Sequence, residues 1–430
     1  MKDEHTKQTI ANINYHFFAR SETFIYNNLI HCQKVHPICL SLYEPITNID
    51  LFPFPGDDLY AYKPKQECRG AKRWTVQWLK LGIRKHVLSR MWLNAETEII
   101  MWASSILGQR KASVIHAHFG PIGYQMLPLK RKLGLPMVTT FYGFDTANLT
   151  PLEPMNWPEH RQQLFNEGEL FLVEGPFMRQ RLINLGCPAN KIILQRILID
   201  LNATPYRKRE FKLERKVIIV FAGRFCEKKG LMYALKAVLK LSQLGMNIEF
   251  RMIGGGELER DVANFITDNN MKEIAIILGV LDYKSYIKEM DSGDIFLHPS
   301  ITADDGDSEG GAPTTILEAQ ALGMPVVSTT HADIPNVTVP GQSAILVGER
   351  DVNALVTALC KVISPSADWE KMGKTGRSFI EKHHEVNQGI LSLERIYASM
   401  QIFKKKMDCN RPDLFAQSLG FAGNRNLCHK

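Results

Sequence analysis

Three stretches of this sequence carry residues whose types and spacing could do chemistry. In FAGRFCEKKG (221–230), Arg224 and Lys229 sit in a loop between an apolar run ending at Gly223 and a helical pattern starting near Gly230. The first N–H groups of a helix lack partners and favour an anion, so two cations beside them suit a diphosphate. A solvated basic turn is the bland reading of the same residues. In MIGGGELER (252–260) a strand, a glycine turn and a helix follow again, but Glu259 stands where the dinucleotide fingerprint needs its third glycine. That run reads as a tight turn that keeps side chains clear of a nucleotide. The third stretch, HPSITADDGDSEGGAPTTILEAQALGMPVVST (298–329), is the most informative. Gly310 and Gly311 let backbone amides approach a ligand, and Thr314, Thr315 and the helix start offer donors to its oxygens. Glu309 and Glu318 can accept hydrogen bonds from sugar hydroxyls.

Two metal readings fall away. Asp304, Asp305, Asp307 and Glu309 lack the ligand order of a calcium loop. His31, Cys32, His36 and Cys39 fit no closed zinc spacing, and ICLSLY reads as a strand that buries Cys39. No metal is expected.

The elements that must position these residues alternate along the chain. Strands are expected at 9–14, 37–43, 112–118, 136–142 and 170–174, with helices at 22–31, 72–107, 121–133 and 176–186. A charged stretch, TPYRKREFKLERK (204–216), reads as a linker. The alternation then resumes: VIIVFAG, a helix from 230, IEFRMIG, a helix from 257, EIAIILG, a helix from 283, DIFLHPS, a helix from about 313, MPVVSTT, AILVG and helices from 351. Continuous apolar strands each followed by a helix mean parallel sheets covered on both faces. The expectation is an α/β chain of two doubly wound domains, residues 1–203 and 217–385, with the ligand crevice at the strands' carboxyl ends in the cleft between them. A last helix, 386–406, is expected to cross back to the first domain, and 407–430 reads as a loose tail.

Composition agrees with such cores. The 430 residues are 45% hydrophobic and 23% charged, which excludes a disordered, collagen-like or small disulfide-stapled chain. A net charge of +7 permits anionic partners without demonstrating one. MKDEHTKQTIANINYHFF has acids beside its lysines and no apolar core, so it does not read as a secretory signal. With no long apolar run either, the eight cysteines read as reduced thiols of a cytoplasmic protein, and the sequons at Asn148, Asn202 and Asn336 as meaningless. The stretch 71–93 interleaves Lys72, Arg73, Lys80, Arg84, Lys85 and Arg90 with Trp74, Trp78 and Trp92 and has no acid. It reads either as an amphipathic helix lying on an anionic membrane, peripheral on the inner face of the plasma membrane, or as a core helix of the first domain.

These segments together resemble the family 4 retaining glycosyltransferases, which use nucleotide sugars and adopt the GT-B fold of two facing Rossmann-like domains. The resemblance runs from SETFIYNNL (21–29) through HAHFG (116–120), the AGR…KG loop and EGG…LEAQALGMPVVSTTHADIPNV to LERIY (393–397). Its wording is similar to that of bacterial exopolysaccharide transferases of the colanic-acid type. The resemblance implies that Arg224 and Lys229 bind the donor's diphosphate and stabilise the leaving nucleotide, and that Glu318 holds the ribose. It implies that Glu309 contacts the donor sugar, that Gly311, Ala312, Thr314 and Thr315 line sugar and phosphate, and that Gly279 lies beside the base. From the first domain, His118, Tyr142 and Asp145 would face the acceptor or donor sugar, and Ser21 would open the helix nearest the phosphates.

Two departures stand out. The family spaces its paired glutamates with seven residues between them, and Glu309 and Glu318 have eight. Either the loop bulges at Gly310 or a neighbour of Glu309 takes the first role. Tyr142 stands where the family often has His, and a phenol is no base near neutral pH. His118 also reads as a satisfied strand-end histidine and Tyr142 as a packing aromatic.

The implied reaction is hexosyl-type transfer with retention from a nucleoside diphosphate sugar to a hydroxyl of a glycan or polyprenyl-linked oligosaccharide. No cofactor, metal or nucleic acid is implied. The rivals are a sugar-nucleotide epimerase on the same architecture and a catalytically decayed nucleotide-sugar-binding protein.

Overall fold

The apolar runs become strands because helices cover them from both sides. The computed structural model describes residues 7–19, 22–43, 46, 48–63, 85–147 and 156–408. Ser21, residues 71–84 and the tail from 409 lie outside the described residues. The first sheet contains β1 (Gln8–Asn14), β2 (Val35–Ser41), β3 (Leu59–Ala61), β4 (Val114–His118), β5 (Met137–Thr140), β6 (Leu170–Val173) and β7 (Ile192–Leu194), in the order β3-β2-β1-β4-β5-β6-β7. The second contains β8 (Val217–Ala222), β9 (Ile248–Ile253), β10 (Ala275–Gly279), β11 (Ile295–His298), β12 (Val326–Thr329) and β13 (Ala344–Val347), in the order β10-β9-β8-β11-β12-β13. Pairing is parallel throughout, with Ile13 beside Ala117 in one sheet and Ile219 beside Ile295 in the other. Strand order reverses between β1 and β4 and again between β8 and β11. Loops leaving neighbouring strands there diverge to opposite faces, which opens a crevice at their carboxyl ends.

Burial follows this layering. Every residue of β4, β5, β6, β11 and β12 is buried. On one face of the first sheet Ile115, Ala117, Met137 and Phe171 meet Ile122, Met126, Leu127 and Leu164. Its other face is covered by the helix Val386–Asp408, whose Val386, Ile390, Leu393 and Ile396 pack on Ile10, Val114, Val138 and Leu170. The chain therefore crosses between the lobes twice. The crossings lie side by side: the Ile199 amide donates to the His384 carbonyl (2.7 Å) and the Val386 amide to the Ile199 carbonyl (3.1 Å).

Local readings differ in three places. β3 and β7 are three-residue edge strands, too short to show a pattern. The helix Trp157–Glu167, invisible as a polar run, is held by its buried Trp157, Leu164 and Phe165. The expected helix 121–133 breaks into Gly120–Gln125 and Leu127–Leu133, because Pro128 has no N–H to continue the ladder. The charged stretch after Thr204 is extended and tied down: Arg207 and Arg209 both pair with Asp291 at 3.1 Å, and Arg209 is buried. No described helix is long and apolar enough to cross a membrane.

Candidate active site

Strands β8 and β11 end side by side at the second switch point, and the loops that follow them are two of the chemistry-bearing stretches. After β8 the chain makes one tight turn, Glu227–Lys229, and reverses at Gly230 with φ +68°. A side chain at 230 would also overlap the Pro299 carbonyl, so glycine is required twice over. The turn aims Lys229 inward. Its Nζ lies 2.7 Å from Glu309 Oε2, while Ser300 Oγ donates to Glu309 Oε1 at 2.8 Å and His298 Nε2 stands 3.5 Å from that oxygen. Burial alone would raise the Glu309 carboxyl, but Lys229, His298 and Lys228 outweigh it and hold it well below the usual range. Glu309 is thus an ionised anchor for Lys229. Lys228 points the other way and pins the acidic loop, 3.0 Å from Asp307 and 3.1 Å from the Ser308 carbonyl. Arg224 is exposed, with no ion pair to any described residue.

The loop then opens the helix Thr314–Ala321, whose first amides have no partner within the helix. Gly311, Ala312, Thr314 and Thr315 line this start, and the Thr315 hydroxyl is buried without a hydrogen bond in the described structure. One turn on, Glu318 is 4% exposed and accepts from Tyr286 Oη at 2.5 Å. Burial raises its carboxyl to about 7, against the bonds from Tyr286 and Tyr283. Gly279 (φ +71°) ends β10 facing open space, and its carbonyl accepts from the Gly254 amide at 2.9 Å. The glycine turn at 254–256 backs onto the Gly223 loop, where a side chain at 254 would overlap the Gly223 carbonyl. It shapes that loop, with the Phe225 amide donating to the Gly255 carbonyl at 2.9 Å.

The first lobe buries its three expected residues, and His118 and Tyr142 follow the second of their two readings. His118 is 1% exposed and lies beneath the cleft surface. Its Nδ1 is 3.0 Å from Tyr142 Oη and its Nε2 3.2 Å from Asn12 Oδ1, and burial lowers its pKa well below the usual value. Asp145 is fully buried and closes its own loop, its carboxylate accepting from the amides of Gly120 and Tyr142 (2.8 Å). Neither presents a free group to a ligand. Tyr142 packs against Phe24 and Phe119 with its hydroxyl turned to His118.

The lobes touch at this end through glycines. Gly143 lies against the backbone of Glu309 and Gly310, Gly175 against the Asp333 carboxylate, and Gly311 against the Glu174 carboxylate. Asp333 of the second lobe accepts from the amides of Phe177 (2.9 Å) and Met178 (3.2 Å), capping the first-lobe helix Pro176–Asn184. Glu174, Asp333, His298, Ser300, Tyr283 and Tyr286 were not singled out from the sequence. One signal existed: a helix opening after Gly175 has no capping side chain of its own and must find an acceptor elsewhere.

Residues 216–365 match the family Glycosyl transferases group 1, and residues 64–202 match Glycosyltransferase Family 4. An Escherichia coli protein named as the colanic acid biosynthesis glycosyltransferase WcaL is 32% identical over 342 residues, covering 77% of this chain and 80% of that one. This chain belongs to the family 4 glycosyltransferases. The amylovoran biosynthesis glycosyltransferase AmsK of Erwinia amylovora is 34% identical over 284 residues, 65% of this chain and 68% of that one. Among solved structures, sucrose-phosphate synthase of Thermosynechococcus elongatus has a TM-score of 0.70 at 14% identity, covering 93% of this chain and 100% of its own. HepE of Anabaena, solved with UDP and glucose, has a TM-score of 0.69 at 12% identity, covering 91% and 100%. At such identities the likeness shows the fold, which is GT-B.

Proposed function

We propose that this glycosyltransferase moves a hexosyl group, with retention, from a nucleoside diphosphate sugar to a hydroxyl of a glycan or polyprenyl-linked oligosaccharide in bacterial surface polysaccharide assembly. The observation that carries the donor reading is that the loop after β8, with Arg224 and Lys229, and the loop after β11, which opens the helix Thr314–Ala321 with its unpaired Thr315 hydroxyl, leave one switch point and are joined there by Lys229 and Glu309. The names of WcaL and AmsK support the pathway, and HepE with UDP supports the donor class.

In this reading Arg224 and Lys229 supply fixed positive charge where the leaving diphosphate becomes more negative. Lys229 spends one of its three donors on Glu309 and keeps the others for phosphate oxygens. The acceptor's proton goes to the departing phosphate oxygen on the same face, since His118 and Asp145 have their ring nitrogens and oxygens engaged. Lobe closure excludes the water that would otherwise hydrolyse the donor. The charge of the diphosphate is met by these side chains, without a metal ion. Proton NMR of the first-formed product is the test: the anomeric configuration of the donor is expected, and the opposite configuration contradicts retention. A peripheral seat on the inner membrane face rests on the sequence of 71–93 alone, and failure to float with anionic liposomes at low salt would rule it out.

A further inference from the structure

At the end of β6 the residue after Val173 is Glu174, whose side chain reaches across the cleft and lies against Gly311 of the second lobe. Three other carboxylates stand around it, and each is already used. Asp145 takes two amides of its own loop, Asp333 caps the helix Pro176–Asn184, and Glu309 holds Lys229. Glu174 accepts no hydrogen bond from any described residue. It is the unengaged carboxylate at the seam where the loop lining the expected phosphate and sugar meets the first lobe.

We propose that Glu174 is a substrate-binding residue that engages a hydroxyl of the donor's sugar and so helps to set which sugar is transferred. The assignment rests on the nucleotide-sugar reading above. A partly buried carboxyl group left without a partner is costly, and a cleft ligand that supplies donors relieves that cost. Phosphate has no hydrogen to give, whereas a sugar hydroxyl both donates and accepts. Burial, then Asp333, Asp145 and Glu309, push the Glu174 carboxyl well above its ordinary range, against the pull of Lys229. A neutral carboxyl group donates as well as accepts, which suits a hydroxyl and not a base. Gly311 belongs to the same device, because any side chain there would occupy the space of the Glu174 carboxylate.

The test titrates wild type, Glu174→Ala and Glu174→Gln with each nucleoside diphosphate alone and with its sugar-linked form, without acceptor. Nucleotide affinity is expected within about twofold in all three proteins, while the extra affinity contributed by the sugar falls about tenfold or more in Glu174→Ala, the size expected for one buried hydrogen bond. Glu174→Gln, which still donates and accepts, keeps most of that increment. A deoxy-sugar donor lacking the engaged hydroxyl should bind wild type and Glu174→Ala alike. An unchanged sugar increment in Glu174→Ala overturns the proposal, and so does an equal loss of nucleotide affinity. Wild type binding neither nucleotide nor nucleotide sugar overturns the donor reading itself, which the other outcomes leave standing.

Discussion

Lys229 and Glu309 show how one residue pair couples stability to chemistry. Glu309 is buried, and Lys229 is the cation in contact with it. Removing the lysine leaves a buried carboxylate without its partner, which costs about 3 kcal/mol. Lys229→Ala is therefore expected to lower the melting temperature as well as turnover. Adding Glu309→Gln should restore the melting temperature without restoring turnover, and thermal melts beside rate assays separate the two effects. Glu318 gives a second expectation. Its carboxyl titrates near 7, and the ionised form accepts more strongly from ribose hydroxyls. Donor affinity should rise as pH passes upward through about 7. Tyr286 favours the charged form, so Tyr286→Phe should move that midpoint to higher pH. Calorimetry with a nucleotide sugar at several pH values reads the shift, and a pH-flat affinity would remove Glu318 from the ribose site. The sequence made Glu309 and Glu318 visible as carboxylates near glycines. It could not show that one is spent on Lys229 and the other on two tyrosines, because those partners come from the loop after β8 and from the helix Tyr283–Ser292.

At the level of elements, the strands were legible wherever both faces are covered, since an unbroken apolar run such as VIIVFA or IFLH has little other way to be satisfied. The edges of the first sheet were not, because β3 and β7 have three residues each, whereas β10 and β13 at the edges of the second were. Nor was the lobe contact, where the helix Pro176–Asn184 takes its cap from Asp333, a residue 155 positions away from Met178. That contact yields its own expectation. Gly175 has no room for a methyl group beside the Asp333 carboxylate. Gly175→Ala should push the lobes apart at the site end while leaving each sheet intact. Small-angle scattering should show a larger radius of gyration, circular dichroism an unchanged strand and helix content, and rate assays a loss of transfer. An unchanged radius with full activity would mean that the seam is not needed closed.

Over the whole molecule, the two-lobed architecture follows from the repeated alternation of strand and helix, and the cleft follows from the reversal of strand order in each sheet. On the nucleotide-sugar reading, function lies where the two reversals face each other. There the second lobe presents cations and a helix start, and the first lobe presents Glu174 over a buried base of His118, Asn12 and Tyr142. Arg224 is the most direct probe of this account, because it is exposed and its removal orphans no buried described partner. The decisive measurement is calorimetric titration of wild type and Arg224→Ala with UDP-, GDP- and ADP-sugars. The account predicts that one nucleotide class binds wild type, and that Arg224→Ala weakens it about tenfold or more with an unchanged melting temperature, as expected for a charged hydrogen bond to phosphate. Equal binding by both proteins, or no binding of any donor to wild type, would contradict it.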